Sequence, residues 1–183
     1  MAHFIGGLED GSVLQRARHG DRRAFEDLLR PLIEPAYRLA LAMLRDREAA
    51  EDAVQNMALK GWRHRARIRP ELETARPWFL AILANECRMA RRERWWSVLR
   101  IAEPVPARAV ERDLAARMDL VQALDGLPYK DRLLLHLYFV LDLPLDEVAQ
   151  VLGIGVGATK SRLHRVTRRL RPDLETMEAL HES

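Results

Sequence analysis

Apolar residues recur along this chain at helical spacing nearly everywhere, and the alternation that marks strands never persists. Ala, Leu, Arg and Glu dominate, all good helix formers. Residues 1–11 form a loose, glycine-containing start. Ser12 is placed to cap a short helix ending near Gly20. Asp21 is placed to cap a long helix carrying Phe25, Leu28, Leu29, Leu32, Tyr37, Leu41 and Leu44. Pro31 and Pro35 fall inside it, and each removes a donor and crowds the preceding turn, so a kink or split is expected. Asp46 caps the next helix, to about His64, with Ala50, Ala53, Val54, Met57 and Gly61 inward. A loop over 66–74 precedes a helix opened by Pro77, with Phe79, Ile82, Leu83, Cys87 and Ala90 inward. Trp62 and Trp78 continue apolar stripes and read as core.

Pro104 and Pro106 then break the pattern. A second helical unit follows over 111–125 and 128–142, the latter opened by Pro128. The chain therefore reads as all-α, two small helical domains joined by a flexible linker. The expected boundaries are 1–96 for the first domain, 97–110 for the linker, 111–172 for the second domain and 173–183 for an acidic, frayed tail.

The last quarter carries the most specific pattern. Pro144 suits a helix start, Leu145, Val148, Ala149 and Leu152 share a face, and Gly153 stands where a left-handed stop is expected. A second helix follows, with Val156, Leu163, Val166 and Leu170 on one side and Ala158, Ser161, Arg162, Arg165, Arg168 and Arg169 on the other. Lys160 to Arg171 holds six Lys/Arg and no acid. Helix, tight turn and basic helix together make the layout of a helix-turn-helix, whose second helix meets phosphates and base edges in the major groove. A charge run alone would read as a solvated surface; the turn glycine and the two matched apolar stripes favour DNA.

Composition narrows the remaining classes. Of 183 residues 48% are hydrophobic, enough for packed cores, and the net charge is only +3, so the clustering of basic residues tells more than their total. The lone Cys87 sits in an apolar stretch; it cannot form an internal disulfide, which fits a reducing cytosol, and it reads as a small buried hydrophobe. No signal peptide and no run of about 18 apolar residues is present, so a cytoplasmic protein without membrane insertion is expected. None of the six His stands in an H-E-x-x-H arrangement, and there is no Walker loop and no G-x-S-x-G. No catalytic residue, metal site or cofactor is expected, and the chain does not read as an enzyme.

Three stretches resemble the extracytoplasmic-function (ECF) sigma factors, the smallest class of bacterial RNA polymerase specificity subunits. They are Leu14–Leu29, Ala50–Arg63, and Ala123–Leu135 together with the helix-turn-helix. The resemblance spans about residues 12–171 and implies a fold of two helical domains on a linker, with no enzymatic activity. It implies that the first domain docks on the clamp helices of the polymerase largest subunit and opens the minus-ten element. The second would read the minus-thirty-five element and meet the flap. An anti-sigma factor is a further implied partner.

Site residues follow from the likeness and from the faces. Glu48, Asp52, Gln55 and Leu59 share one side of their helix, acidic with an apolar edge, which suits a basic coiled-coil partner; the motif adds Val54 to this core-polymerase-binding set. Minus-ten DNA falls to Arg63, Arg65, Asn85, Arg88, Arg91, Arg92 and Trp95, with Arg67 and Arg69 adding charge. Melting needs cations for the backbone and flat side chains for unstacked bases. Minus-thirty-five DNA falls to Thr159, Lys160, Ser161, Arg162, Arg165 and Arg168. Arg162 is the leading guanine reader, and Lys160 and Arg168 hold phosphates. Gly157–Ala158 offers little side chain, so readout there leans on DNA shape. The rival reading is a stand-alone helix-turn-helix regulator binding duplex DNA without polymerase; it gives no task to the acidic helix or to the first basic one.

Overall fold

The computed structural model describes residues 11–69, 74–98 and 126–181. Helix α1 spans Gly11–Arg18, α2 Arg22–Leu29, α3 Ile33–Leu44, α4 Arg47–His64 and α5 Arg76–Val98. The second half contributes α6 (Tyr129–Leu135), α7 (Leu145–Leu152) and α8 (Val156–His181). No strand occurs among the described residues. The expected helix over 111–125 and most of the expected linker lie outside them.

Local chemistry sets most boundaries. Asp21 and Asp46 cap α2 and α4, their carboxylates accepting from Ala24 N and Ala49 N at 3.1 Å. The proline-bearing stretch splits as expected: α2 stops at Leu29, a 3-10 turn covers Arg30–Leu32, and α3 restarts at Ile33. Arg45 closes α3 in the left-handed region, with φ of 56° and its N–H on Leu41 O. Ser12 lies within α1 rather than before it.

Helix bounds differ from expectation in three places. Pro128 precedes α6 as predicted, but the helix relaxes into a π-helical segment over His136–Val140, which leaves Phe139 and Val140 exposed. Helix α8 runs on through the expected tail to His181. The first helical unit also runs past its expected boundary, since α5 extends through Val98.

Helices α3, α4 and α5 form the platform of the first half. Phe25, Trp62 and Phe79 meet edge-to-face, with ring centroids 5.2 Å and 5.5 Å apart from Phe25. Gly61 sits where α4 crosses this cluster: a Cβ there would lie 2.7 Å from the Phe79 ring. Trp62 and Trp78 are half-buried against the same core.

The two units pack against one another in this structure. One apolar cluster runs through both, from Leu14 and Phe79 to Leu134, Val148 and Leu170. Leu80 and Ala84 of α5, on no predicted stripe, are buried beside Leu83 and Cys87. Helix α5 therefore has two covered sides, one on the first-half platform and one on α7.

Candidate functional sites

The turn between α7 and α8 is built by one residue. Gly153 takes φ of 66°, and its N–H returns to Ala149 O and Gln150 O. Helix α8 then buries Thr159, Val166 and Leu170 and half-buries Leu163. The inward stripe is thus 159, 163, 166, 170. Val156, expected on it, is 49% exposed, while Thr159, expected on the DNA side, is fully buried. The Thr159 hydroxyl donates to Gly155 O at 3.1 Å, which satisfies it inside the core. A β-branched residue seven positions before Val166 was the available signal, masked by its polar label.

The opposite side of α8 exposes Lys160, Ser161, His164, Arg165, Arg168 and Arg169. Arg162 is held differently. Its Nε donates to Asp131 Oδ1 of α6 at 2.5 Å, and both side chains are mostly buried. The guanidinium that the sequence marks as the leading base reader ties the recognition helix to α6 in this structure. Arg165, one turn on, is the exposed arginine nearest the helix start.

On α4, Glu48, Asp52, Gln55 and Leu59 all face solvent, with Leu59 62% exposed. Val54 points the other way, 8% exposed, and belongs to the core. Glu51, not singled out from the sequence, is also exposed on this helix and extends its acidic character. Lys60 Nζ lies 2.7 Å from both oxygens of the buried Glu86 and braces α4 against α5.

On α5, Asn85, Arg88, Arg91 and Arg92 are exposed; the Trp95 side chain lies outside the described residues. Arg91 comes within 6.0 Å of the Tyr129 ring centroid. Arg63 is exposed at the end of α4. Arg65 is not free: it donates to Trp62 O at 2.9 Å and stacks over the Trp62 ring at 4.3 Å. Gly20 gives it room, since a Cβ there would meet the guanidinium at 3.1 Å. Arg67 and Arg69 line one wall of a cleft of about 570 Å³, and Asp146, Gln150 and Val156 of the helix-turn-helix line the other. Among the described residues no cluster of three or more His, Cys, Asp or Glu could hold a metal, and no helix is long and apolar enough to cross a membrane.

Burial sets the chemistry of two groups. Desolvation, with the Glu86 carboxylate beside it, pushes the Cys87 thiol up to about 12, so it stays protonated and unreactive. Desolvation, followed by the nearby Cys87, raises the Tyr129 phenol, whose hydroxyl donates to Ala84 O at 2.7 Å.

Known proteins match this arrangement along nearly its whole length. Residues 20–97 match the Sigma-70 region 2 family and residues 117–170 the Sigma-70 region 4 family. The RNA polymerase sigma factor CarQ of Myxococcus xanthus is 31% identical over 170 residues, covering 90% of this chain and 97% of its own. The ECF RNA polymerase sigma factor SigL of Mycobacterium tuberculosis is 27% identical over 183 residues, covering 97% and 98%. Among solved structures, CnrH in complex with the cytosolic domain of CnrY superposes with a TM-score of 0.70 at 22% identity, over 92% of this chain and 98% of that one. RpoE from Bartonella quintana, solved with the anti-sigma factor NepR, gives 0.64 at 23% identity, over 82% and 98%. With both regions present in order and a relative of this identity aligned end to end, the chain belongs to the ECF sigma factors of the sigma-70 family, the polymerase-binding subunits that direct transcription initiation.

Proposed function

We propose that the exposed side of α4 is the main docking surface for core polymerase, and that α5 and α8 read the two promoter elements. The observation that carries this is the separation of charge. Glu48, Asp52 and Gln55 beside the bare Leu59 form an acidic surface with an apolar edge, while the exposed arginines of α5 and α8 lie on other helices. An acidic surface repels DNA and attracts a basic protein partner, so the two tasks fall to different helices. On the largest subunit the partner is the pair of clamp helices, and region 4 meets the flap.

Arg88, Arg91 and Arg92, with Asn85 among them and Arg63 nearby, hold the minus-ten strand. Trp95 is assigned there from its place on the helix. On α8, Arg165 takes the base-reading role first given to Arg162, and Lys160 and Arg168 hold phosphates. Arg65 and Thr159 support these surfaces from within, and Val54 supports α4. Residues 1–96 and 111–172 are the two functional units, with 97–110 between them. The chain performs no chemistry of its own and acts in the cytoplasm, where polymerase is. An anti-sigma factor is its regulator, by analogy with RpoE of Bartonella quintana, solved with the anti-sigma factor NepR.

Binding is the direct test. Purified core polymerase should co-elute with the wild-type chain on gel filtration, and Asp52→Arg with Gln55→Ala should abolish co-elution while helicity is unchanged. Retained co-elution would remove α4 as the docking surface. A stand-alone regulator would instead protect its operator with no polymerase present.

A further inference from the structure

The start of α8 is built in a way the fold does not call for. Gly155 precedes the helix and Gly157 lies in its first turn. A Cβ added at either would meet nothing within 4 Å, and among the described glycines only Gly20 and Gly153 take a positive φ. Neither packing nor backbone conformation therefore asks for glycine at 155 or 157, and glycine inside a helix weakens it relative to alanine. Val156, between them, is 49% exposed, although the apolar pattern sets it on the inward stripe. Ala158 is exposed too, and the first turn carries no acid. Helix starts ordinarily favour capping or acidic side chains. Here Gly155, Val156, Gly157 and Ala158 are all small or apolar.

Such a surface has a use outside the chain. The N-terminal end of a recognition helix enters the major groove, where its residues meet base edges. Bare backbone at 155 and 157 lets the helix start come close to the groove, as glycine does wherever another molecule approaches a main chain. At that depth an apolar side chain has one matching group, the C5-methyl of thymine, the one methyl that the major groove displays. Valine has no donor or acceptor in its side chain, so that methyl is what it can tell apart. Arg165 lies nine residues on from Val156, about 13 Å along the helix, or roughly four base pairs at 3.4 Å per pair.

We propose that Val156 is a specificity-determining residue that reads the C5-methyl of a thymine in the upstream element, and that Gly155 and Gly157 keep the helix start bare so that it can reach. This rests on the promoter-reading function above. The thymine stands roughly three to five base pairs from the base that Arg165 reads, toward the N-terminal end of α8. Covering one methyl group changes an affinity about fourfold, less than a two-pronged arginine contact does. Val156 therefore refines a choice that Arg165 dominates.

Deoxyuridine pairs as thymine does and lacks only the methyl, so it isolates the contact. Holoenzyme assembled from core polymerase and the full-length chain is bound to a promoter that it transcribes, with each upstream thymine replaced by deoxyuridine in turn, on either strand. One replacement, at the stated distance from the Arg165 base, should weaken wild-type binding about fourfold. Val156→Ala should bind the thymine promoter about fourfold more weakly and bind the two promoters equally, at an unchanged melting temperature. Gly157→Ala tests the close approach: its melting temperature should hold or rise, while promoter binding falls threefold or more. A merely structural glycine would move both the same way. No response to deoxyuridine at any upstream thymine, a response only elsewhere in the element, a response that survives in Val156→Ala, or wild-type promoter binding by Gly157→Ala overturns the thymine reader. Promoter selection that stays intact in these cases defeats this inference alone; a holoenzyme that selects no promoter defeats the reading it rests on.

Discussion

Helices α5 and α8 both set a row of arginines against an apolar stripe, yet the rows are built differently. On α8 the outer side is open, and the one arginine that departs from it, Arg162, is drawn inward by Asp131. On α5 all the assigned cations with described side chains are exposed, but the helix is covered on two sides and Tyr129 stands beside Arg91. The same residue type therefore serves two purposes, and its partner decides which. An arginine with a mostly buried carboxylate holds helices together; an arginine facing solvent is free for phosphate or base.

The largest expected effect separates these purposes on α8 itself. Arg162→Ala or Asp131→Ala leaves one member of a mostly buried pair alone, and should cost about 3 kcal/mol of unfolding free energy by urea titration. Arg165→Ala should change stability by less than about 0.5 kcal/mol. If the two arginines cost the same, the distinction between brace and reader collapses.

Next comes the platform beneath α5. Gly61→Ala places a methyl against the Phe79 ring and should cost about 2 kcal/mol in the same assay. Arg88→Ala or Arg92→Ala, on the exposed side, should leave the urea midpoint unchanged.

The third effect is on pH. The Cys87 thiol is held up to about 12 in the fold against an ordinary value of 9.0, so the folded state keeps its proton longer than the unfolded chain. Its contribution is fully present below about pH 9 and is lost as pH rises toward 12, about 1 kcal/mol by pH 10. Cys87→Ala should flatten that part of the stability profile, seen as a smaller fall in urea midpoint between pH 8 and pH 10.

The smallest effect on stability is the most informative for recognition. Arg165→Ala, nearly silent in folding, should lower discrimination at one base of the upstream element by about 1–3 kcal/mol. A uniform loss across all promoter sequences would make it a phosphate contact instead. Lys160→Ala should weaken all promoters alike and reduce the salt dependence of binding.

Much of this was legible because short-range rules wrote it. Asp21, Asp46 and Gly153 marked their helix ends through bonds a few residues long, and the stripes of α3 and α4 needed only the helical period. The acidic side of α4 could be placed by counting. What the pattern missed depends on distance along the chain. Asp131 and Arg162 are 31 residues apart, and Arg76 and Glu147 are 71 apart; with so many acids and bases present, no local rule selects these pairs. The exchange of Val156 and Thr159 had another cause. The pattern equates polarity with exposure, but a threonine that bonds the preceding turn is a good buried residue. Leu80 and Ala84 were missed because a helix with two neighbours carries a wider apolar stripe than a helix with one.

This chain gives a polymerase its choice of start site. Transcription with purified core enzyme on fragmented genomic DNA, read by sequencing RNA 5′ ends, tests it most directly. A small set of shared start sites is expected with the wild-type chain, and their loss with Asp52→Arg plus Gln55→Ala. Start sites that are the same with and without the chain would contradict it.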